Sequence, residues 1–177
     1  GLYGFRRGGQ SALRRTDLSN DVAGMTLIVR DALPDDSEAA CEVMRRSIAE
    51  LCIADHHGEP AIVGRWLANK QPDIVTSWIG NPENSMLVAV EDGAIVAVGL
   101  VTDTGEIQLN YVSPDARFRG VSRALVGALE RRAIERGNRR CHLVSTETAR
   151  RFYLSAGYVE DGPPQRLQDG LHQLCEG

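Results

Sequence analysis

The apolar positions change period along this chain, and each change marks an element. Between Asp35 and Leu51 they fall at Ala40, Val43, Met44, Ile48 and Leu51, a helical stripe that Asp35 and Glu38 open in the manner of a capping box. Residues 58–69 and 73–80 read as two short helices, each with one tryptophan (Trp66, Trp78) in a packing role, broken by Pro60, Pro72 and Gly80-Asn81-Pro82. The period then becomes strand-like. Met86–Val90 and Ala94–Val101 flank Asp92-Gly93, a pair that tolerates positive φ at both positions, so an antiparallel hairpin is expected. Ile107, Leu109 and Tyr111 alternate with Glu106, Gln108 and Asn110 in a third strand, which ends at Pro114-Asp115-Ala116. From Gly120, the residues Val121, Leu125, Ala128, Leu129 and Ala133 mark one face of a long helix that stops at Gly137. A strand at Cys141–Val144, a helix at Thr148–Ala156 and a strand at Gly157–Glu160 follow, and a last hairpin strand is expected at Leu171–Cys175 after Asp169-Gly170.

Upstream, Thr26–Arg30 is the first strand, so a single domain is placed at 26–177. Residues 1–25 are set apart as a Gly- and Arg-rich N-terminal extension. Such a tail, if ordered, lies on its own domain or on a second copy, which makes a homodimer one expected assembly. The element order predicts an α+β fold with a mixed, twisted sheet of six to seven strands flanked by four to five helices. No internal repeat is present.

Composition narrows the class. The 177 residues suit one domain able to bury about 70% of its unfolded surface. Hydrophobic residues at 42% and charged residues at 25% are ordinary for a globular protein, and no apolar run approaches the length of a membrane span. No secretory signal is legible, and the four cysteines show neither CxxC nor zinc-finger spacing, so a cytoplasmic protein with reduced thiols and no metal is expected. The net charge of -4 argues against a nucleic-acid partner. That average hides two local excesses: eight carboxylates in 31–59 against Arg45 and Arg46, and eight arginines in 115–140 against Asp115, Glu130 and Glu135.

The basic excess opens on Arg117-x-x-Gly120-x-Ser122, between a strand and a long helix. The first amides of a helix lack internal partners and carry the positive end of its dipole, so they suit a pyrophosphate. Gly120 and small Ser122 allow close backbone approach, while Arg117, Arg119 and Arg123 add charge. Neither GxGxxG after a strand nor GxxxxGK[ST] occurs, which removes the main support for Rossmann and kinase readings.

The stretch from Ile107 to Leu125 resembles the acetyl-CoA motif of the GNAT superfamily of N-acetyltransferases, [RQ]-x-x-G-x-[GA], with Ser122 in place of Gly or Ala. A second stretch, Thr148-Ala149-Arg150-Arg151-Phe152-Tyr153-Leu154-Ser155-Ala156-Gly157-Tyr158, resembles that family's A-x-x-[FL]-Y-x-x-x-G-[FY] signature. The resemblance spans about residues 26–160. It implies acetyl-CoA as cofactor, held by Asn110, Tyr111 and Val112 through their main chain and by Arg117, Phe118, Arg119, Gly120, Val121, Ser122 and Arg123. It also implies direct transfer of the acetyl group to a primary amine of a small molecule or peptide in a ternary complex, with Tyr153 as general acid beside the cofactor. For the base it points to Glu106, where some relatives carry a carboxylate; His56, His57 or a water chain are alternatives, and Cys52 is expected as a buried, inert thiol in the same region. The acidic first helix lies where relatives bind the acceptor, so a cationic acceptor steered by Glu50, Asp55 and Glu59 is expected. The rival reading is a catalytically weak acyl-CoA-binding sensor or assembly module on the same fold.

Overall fold

A computed structural model describes residues 2–8, 21–22 and 25–164. In chain order they form strands β1 (Tyr3–Gly8), β2 (Asp21–Val22) and β3 (Met25–Asp31), then helices α1 (Ser37–Leu51), α2 (Ile53–His56), α3 (Pro60–Leu67) and α4 (Pro72–Gly80). Strands β4 (Asn84–Glu91), β5 (Ala94–Thr102) and β6 (Glu106–Val112) follow, and then helix α5 (Val121–Glu135), strand β7 (Arg140–Ser145), helix α6 (Glu147–Ser155) and strand β8 (Val159–Glu160). The expected α+β class and mixed sheet are present. The sheet runs β2-β3-β4-β5-β6-β7-β1-β8, eight strands among the described residues, one more than the upper expectation. Every pairing is antiparallel except β6 with β7. The expected strand at Leu171–Cys175 lies outside the described residues.

Two apolar clusters cover the two faces. On one, α5 and α6 pack with Phe5, Leu125, Leu129, Leu143, Tyr153 and Tyr158. On the other, α1, α3 and α4 bring Met44, Ile48, Trp66 and Val75 against Val88, Val98, Leu100 and Leu109. The α5 contact is close enough to need a glycine: a Cβ on Gly99 of β5 would stand 2.8 Å from Leu129 Cδ1. The β4–β5 hairpin turns as its residues dictate, with Asp92 at φ 49° and Gly93 at φ 82°.

Of the segment expected as an extension, Tyr3–Gly8 do not stand apart, because β1 lies inside the sheet, antiparallel to β7 from Tyr3↔Ser145 to Gly8↔Arg140 and to β8 at Phe5↔Glu160 and Arg6↔Val159. Leu2 and Phe5 are buried, the Phe5 ring centroid lies 5.9 Å from that of Tyr153, and Arg7 forms a 3.0 Å ion pair with the buried Glu130. Glu130 also accepts from the Tyr158 hydroxyl at 2.9 Å, so its carboxylate is satisfied despite burial. The first strand thus forms part of the wall behind the site.

A second correction concerns β6. Leu100 pairs with Leu109 but Val101 pairs with Ile107, so Gln108 is an extra residue, a β-bulge. The bulge breaks the alternation read from sequence: Ile107 joins the α5 cluster, whereas Leu109 and Tyr111 join the α1 cluster. Asn110, opposite Gly99, therefore faces α5 and α6.

Candidate active site

Strands β6 and β7 pair over only Glu106↔His142 and Ile107↔Leu143, then part. Beyond that point the β6 edge at Asn110, Tyr111 and Val112 and the β7 end at Val144 and Ser145 become two walls of a cavity of about 690 Å³. The volume lies within the usual range for small-molecule sites. The 116–123 turn and α6 supply further lining residues. Of the residues expected to hold the cofactor, Asn110, Tyr111, Val112, Arg117, Phe118, Gly120, Val121, Ser122, Arg123 and Tyr153 all line this one cavity.

Arg119 is the exception. Its guanidinium makes a 2.9 Å ion pair with Glu91 and donates to the Asp115 carbonyl at 3.2 Å, so it braces the turn against the β4 end. Arg46 of α1 holds Asp115 from the other side at 2.8 Å. Within the braced turn, Phe118 and Gly120 both take the left-handed conformation, at φ 65° and 76°. Phe118 is 89% exposed, with the Arg117 guanidinium carbon 4.5 Å from its ring centroid.

The two helices whose N-termini reach the cavity differ at those ends. At α6, Thr146 accepts from the Ala149 amide, and the buried Asp55 carboxylate accepts from the amides of Glu147 (2.7 Å) and Thr148 (3.4 Å) and from the Thr148 hydroxyl. That helix end is already served by an anion from its own chain. At α5 the N-cap is Gly120, no side chain caps the helix, and a Cβ built on Gly120 would meet nothing within 4 Å. Fifteen residues of aligned peptide dipoles end there, at Gly120, Val121, Ser122 and Arg123, which line the cavity. A pyrophosphate group fits this end and not the other.

Tyr153 stands where the walls part. It is 5% exposed, its hydroxyl oxygen accepts from Asn110 Nδ2 at 2.9 Å, and Phe152, Tyr158 and Phe5 surround its ring. Because the oxygen accepts from the amide, the phenolic O–H is free to donate elsewhere. Burial pushes this phenol up to about 12, with the Asn110 bond acting in the opposite direction. It is therefore protonated at every physiological pH.

Other candidates fall outside the cavity or are already engaged. Glu106 does not line the cavity; it precedes the bulge, and its amide donates to Thr102. His56 is buried, its Nε2 lies 2.8 Å from the Ile48 carbonyl oxygen and its Nδ1 accepts from the Gly58 amide, so both ring nitrogens are engaged. His57 is exposed, at the left-handed end of α2. Cys52 lines the cavity, yet burial raises its thiol to about 12, which keeps it protonated. None of Glu50, Asp55 and Glu59 lines the cavity: Glu50 pairs with Arg46 at 3.1 Å, Asp55 anchors α6, and Glu59 is exposed before α3. Gln108 and Arg151, which sequence reasoning passed over, do line it.

The chain's residues 42–173 match the family model described as an acetyltransferase (GNAT) domain, well over half of its length, and the chain belongs to that family. Solved structures agree on the fold. A GCN5-related N-acetyltransferase from Rhodopseudomonas palustris aligns at TM-score 0.66 with 22% identity, covering 83% of this chain and 87% of that one. A PaiA N-acetyltransferase from Thermoplasma acidophilum, in complex with coenzyme A, gives TM-score 0.54 and 16% identity over 63% and 74% of the two chains. AAC(6')-Iy, in complex with a CoA-linked bisubstrate analogue, gives 0.60 and 14% over 78% and 95%. No curated protein matches this chain.

Proposed function

We propose that this protein transfers the acetyl group of acetyl-CoA directly to a primary amine, with both substrates bound together. The observation that carries the reading is the placement of Tyr153 and Asn110 on the same cavity as the uncapped α5 N-terminus, on the walls of a strand pair that has opened. The free amides at Val121, Ser122 and Arg123, with the Arg117 and Arg123 side chains, serve the pyrophosphate. Ser122 is small enough to keep the backbone approachable. The β6 edge at Asn110–Val112, beyond its pairing with β7, offers backbone groups to an amide-bearing chain laid along it, in the manner of an added strand.

Acetyl-CoA supplies the thioester whose carbonyl carbon takes the new C–N bond as the C–S bond breaks. Tyr153 donates its hydroxyl proton toward the departing sulfur, and solvent restores that proton. A buried phenol is a weak acid, but a thiolate generated in the same dry cleft is also a stronger base than in water. Asn110, by occupying a lone pair of the hydroxyl oxygen, turns the proton away from itself. The three thiols Cys41, Cys52 and Cys141 are unpaired among the described residues, in keeping with work in a reducing cytoplasm.

Calorimetric titration with CoA, followed by thiol release from acetyl-CoA against a panel of amines, tests this. Binding heat and amine-dependent thiol release are expected. Absence of heat and of thermal shift at millimolar CoA, in monodisperse protein, would refute it.

A further inference from the structure

Strand β1 holds Tyr153 from the side away from the cavity. Alternate residues of a strand share a face, so Tyr3, Phe5 and Arg7 turn together toward the α5 and α6 layer while Arg6 is exposed. Phe5 is 1% exposed, and its ring lies tilted against that of Tyr153. Arg7 reaches the same tyrosine through two other residues. Its guanidinium pairs with Glu130 of α5, Glu130 accepts from the Tyr158 hydroxyl, and the Tyr158 ring stands edge-on to Tyr153 with centroids 5.5 Å apart. The Arg7 guanidinium carbon also lies 5.9 Å from the centre of the Tyr158 ring. The backbone of β1 is fitted to this slot: a Cβ on Gly4 would stand 2.7 Å from the Asp161 carbonyl oxygen, and the Asp161 amide donates to the Gly4 carbonyl at 2.7 Å.

We propose that Phe5 and Arg7 are positioning residues for the transfer step, through which the first strand aims the Tyr153 hydroxyl into the cavity. The proposal rests on the transferase reading, in which that hydroxyl gives its proton to the departing sulfur, and it adds two residues far from both sequence motifs. The need for them follows from where Tyr153 sits. Asp55 fixes the first turn of α6, but Tyr153 lies in the last turn of that nine-residue helix, whose end is closed by the Tyr158 amide donating to the Tyr153 carbonyl at 3.0 Å. The Arg7–Glu130 pair holds Tyr158 by its hydroxyl, and Phe5 covers the Tyr153 ring itself. A phenol ring is rigid, so a tilt allowed at its face is carried to the oxygen at its tip. Proton transfer requires heavy atoms about 2.6–3.2 Å apart, and a misplacement of about 1 Å can cost about a hundred-fold in rate. Neither Phe5 nor Arg7 lines the cavity, so neither touches the reacting atoms.

The test compares Phe5→Leu and Arg7→Met with Val75→Ala, a control that opens a void in the cluster on the other face of the sheet. With acetyl-CoA and the fastest amine of the panel, Phe5→Leu is expected to lower kcat about three- to ten-fold and Arg7→Met somewhat less, with CoA affinity and amine KM within about two-fold of wild type. Val75→Ala is expected to lose stability and keep its kcat. In the Tyr153→Phe background neither first-strand substitution should lower kcat further. Adding Glu130→Gln to Arg7→Met removes the stranded charge and keeps an acceptor for Tyr158, so it should restore most of the lost kcat. Independently of turnover, fluorine NMR of the ligand-free protein labelled with 3-fluorotyrosine should show the Tyr153 resonance, identified by its loss in Tyr153→Phe, displaced by Arg7→Met and unmoved by Val75→Ala. A kcat loss that persists in the Tyr153→Phe background, one that Val75→Ala shares, or a Tyr153 resonance that Arg7→Met leaves in place overturns the proposal and leaves the transferase reading intact. If Tyr153→Phe turns over as fast as wild type, or if no amine of the panel is acetylated, the role of Tyr153 falls first and this proposal with it.

Discussion

Replacing Asp55 by alanine removes an acceptor that serves two backbone amides and one hydroxyl at the start of α6. Asp55 is 6% exposed, so water does not take its place. A hydrogen bond to a charged group contributes about 1.5–3 kcal/mol, and loss of a helix cap costs about 0.5–2 kcal/mol. These contributions overlap, because the bonds to the Glu147 and Thr148 amides are themselves the cap; a net loss of about 3 kcal/mol follows. For a domain of this size that corresponds to a fall in Tm of roughly 6–12 °C. Asp55→Asn keeps one acceptor oxygen for the Glu147 amide and should lose about half as much. Because α6 also carries Tyr153, kcat should fall with stability in the alanine variant, while KM for the amine keeps its salt dependence unchanged. Differential scanning calorimetry and steady-state kinetics at two ionic strengths check both parts. A Tm within 2 °C of the wild type, with an amine KM that rises several-fold and becomes salt-dependent, would show that Asp55 faces the acceptor and that the clamp reasoning is wrong.

Three further outcomes are expected. Gly120→Glu puts a carboxylate and a side chain at a left-handed position against the α5 amides, and calorimetry should show loss of CoA binding; unchanged affinity would make the turn merely structural. Tyr153→Phe should lower kcat by about ten-fold or more with little change in CoA affinity, and Asn110→Leu should lower kcat in the wild type but add nothing in the Tyr153→Phe background; additive losses would mean that Asn110 does not act through the tyrosine. Because the folded phenol of Tyr153 titrates near 12 against an ordinary 10.0, its protonated form stabilises the fold fully below pH 10, and that contribution is lost as pH rises through 12. Urea midpoints at pH 10 and 11 should reveal a loss of about 1 kcal/mol from this group that Tyr153→Phe abolishes.

Local signals carried much of the fold. Asp92-Gly93 specified a hairpin because few residue pairs accept two positive φ angles, and the apolar stripe from Val121 to Ala133 could only be a helix with one buried face. The phosphate turn was legible for the same reason, since its glycine and arginines act through local geometry. What stayed hidden depends on contacts between distant residues. Leu2–Gly8 reads as a Gly- and Arg-rich tail, and it is a strand only because β7, well over a hundred residues away in sequence, offers it an edge. The bulge at Gln108 leaves no local trace either: Glu106 to Tyr111 alternate without a break, so the pattern assigned Glu106 and Asn110 to one face when the inserted residue separates them.

The acidic stretch from Asp31 to Glu59 contains a carboxylate whose place only the structure shows. Charge counted along a sequence does not say which carboxylates are already used. Two helix N-termini reach this cavity, and an anion suits either one. The chain fills one of them with its own Asp55, which fixes α6 and with it Tyr153, and leaves the other bare behind Gly120. An uncapped helix end is tolerable only where water or a ligand reaches its amides, and there the flanking charges are arginines. The carboxylate that the charge pattern put in the path of the acceptor is thus spent on the helix that carries Tyr153.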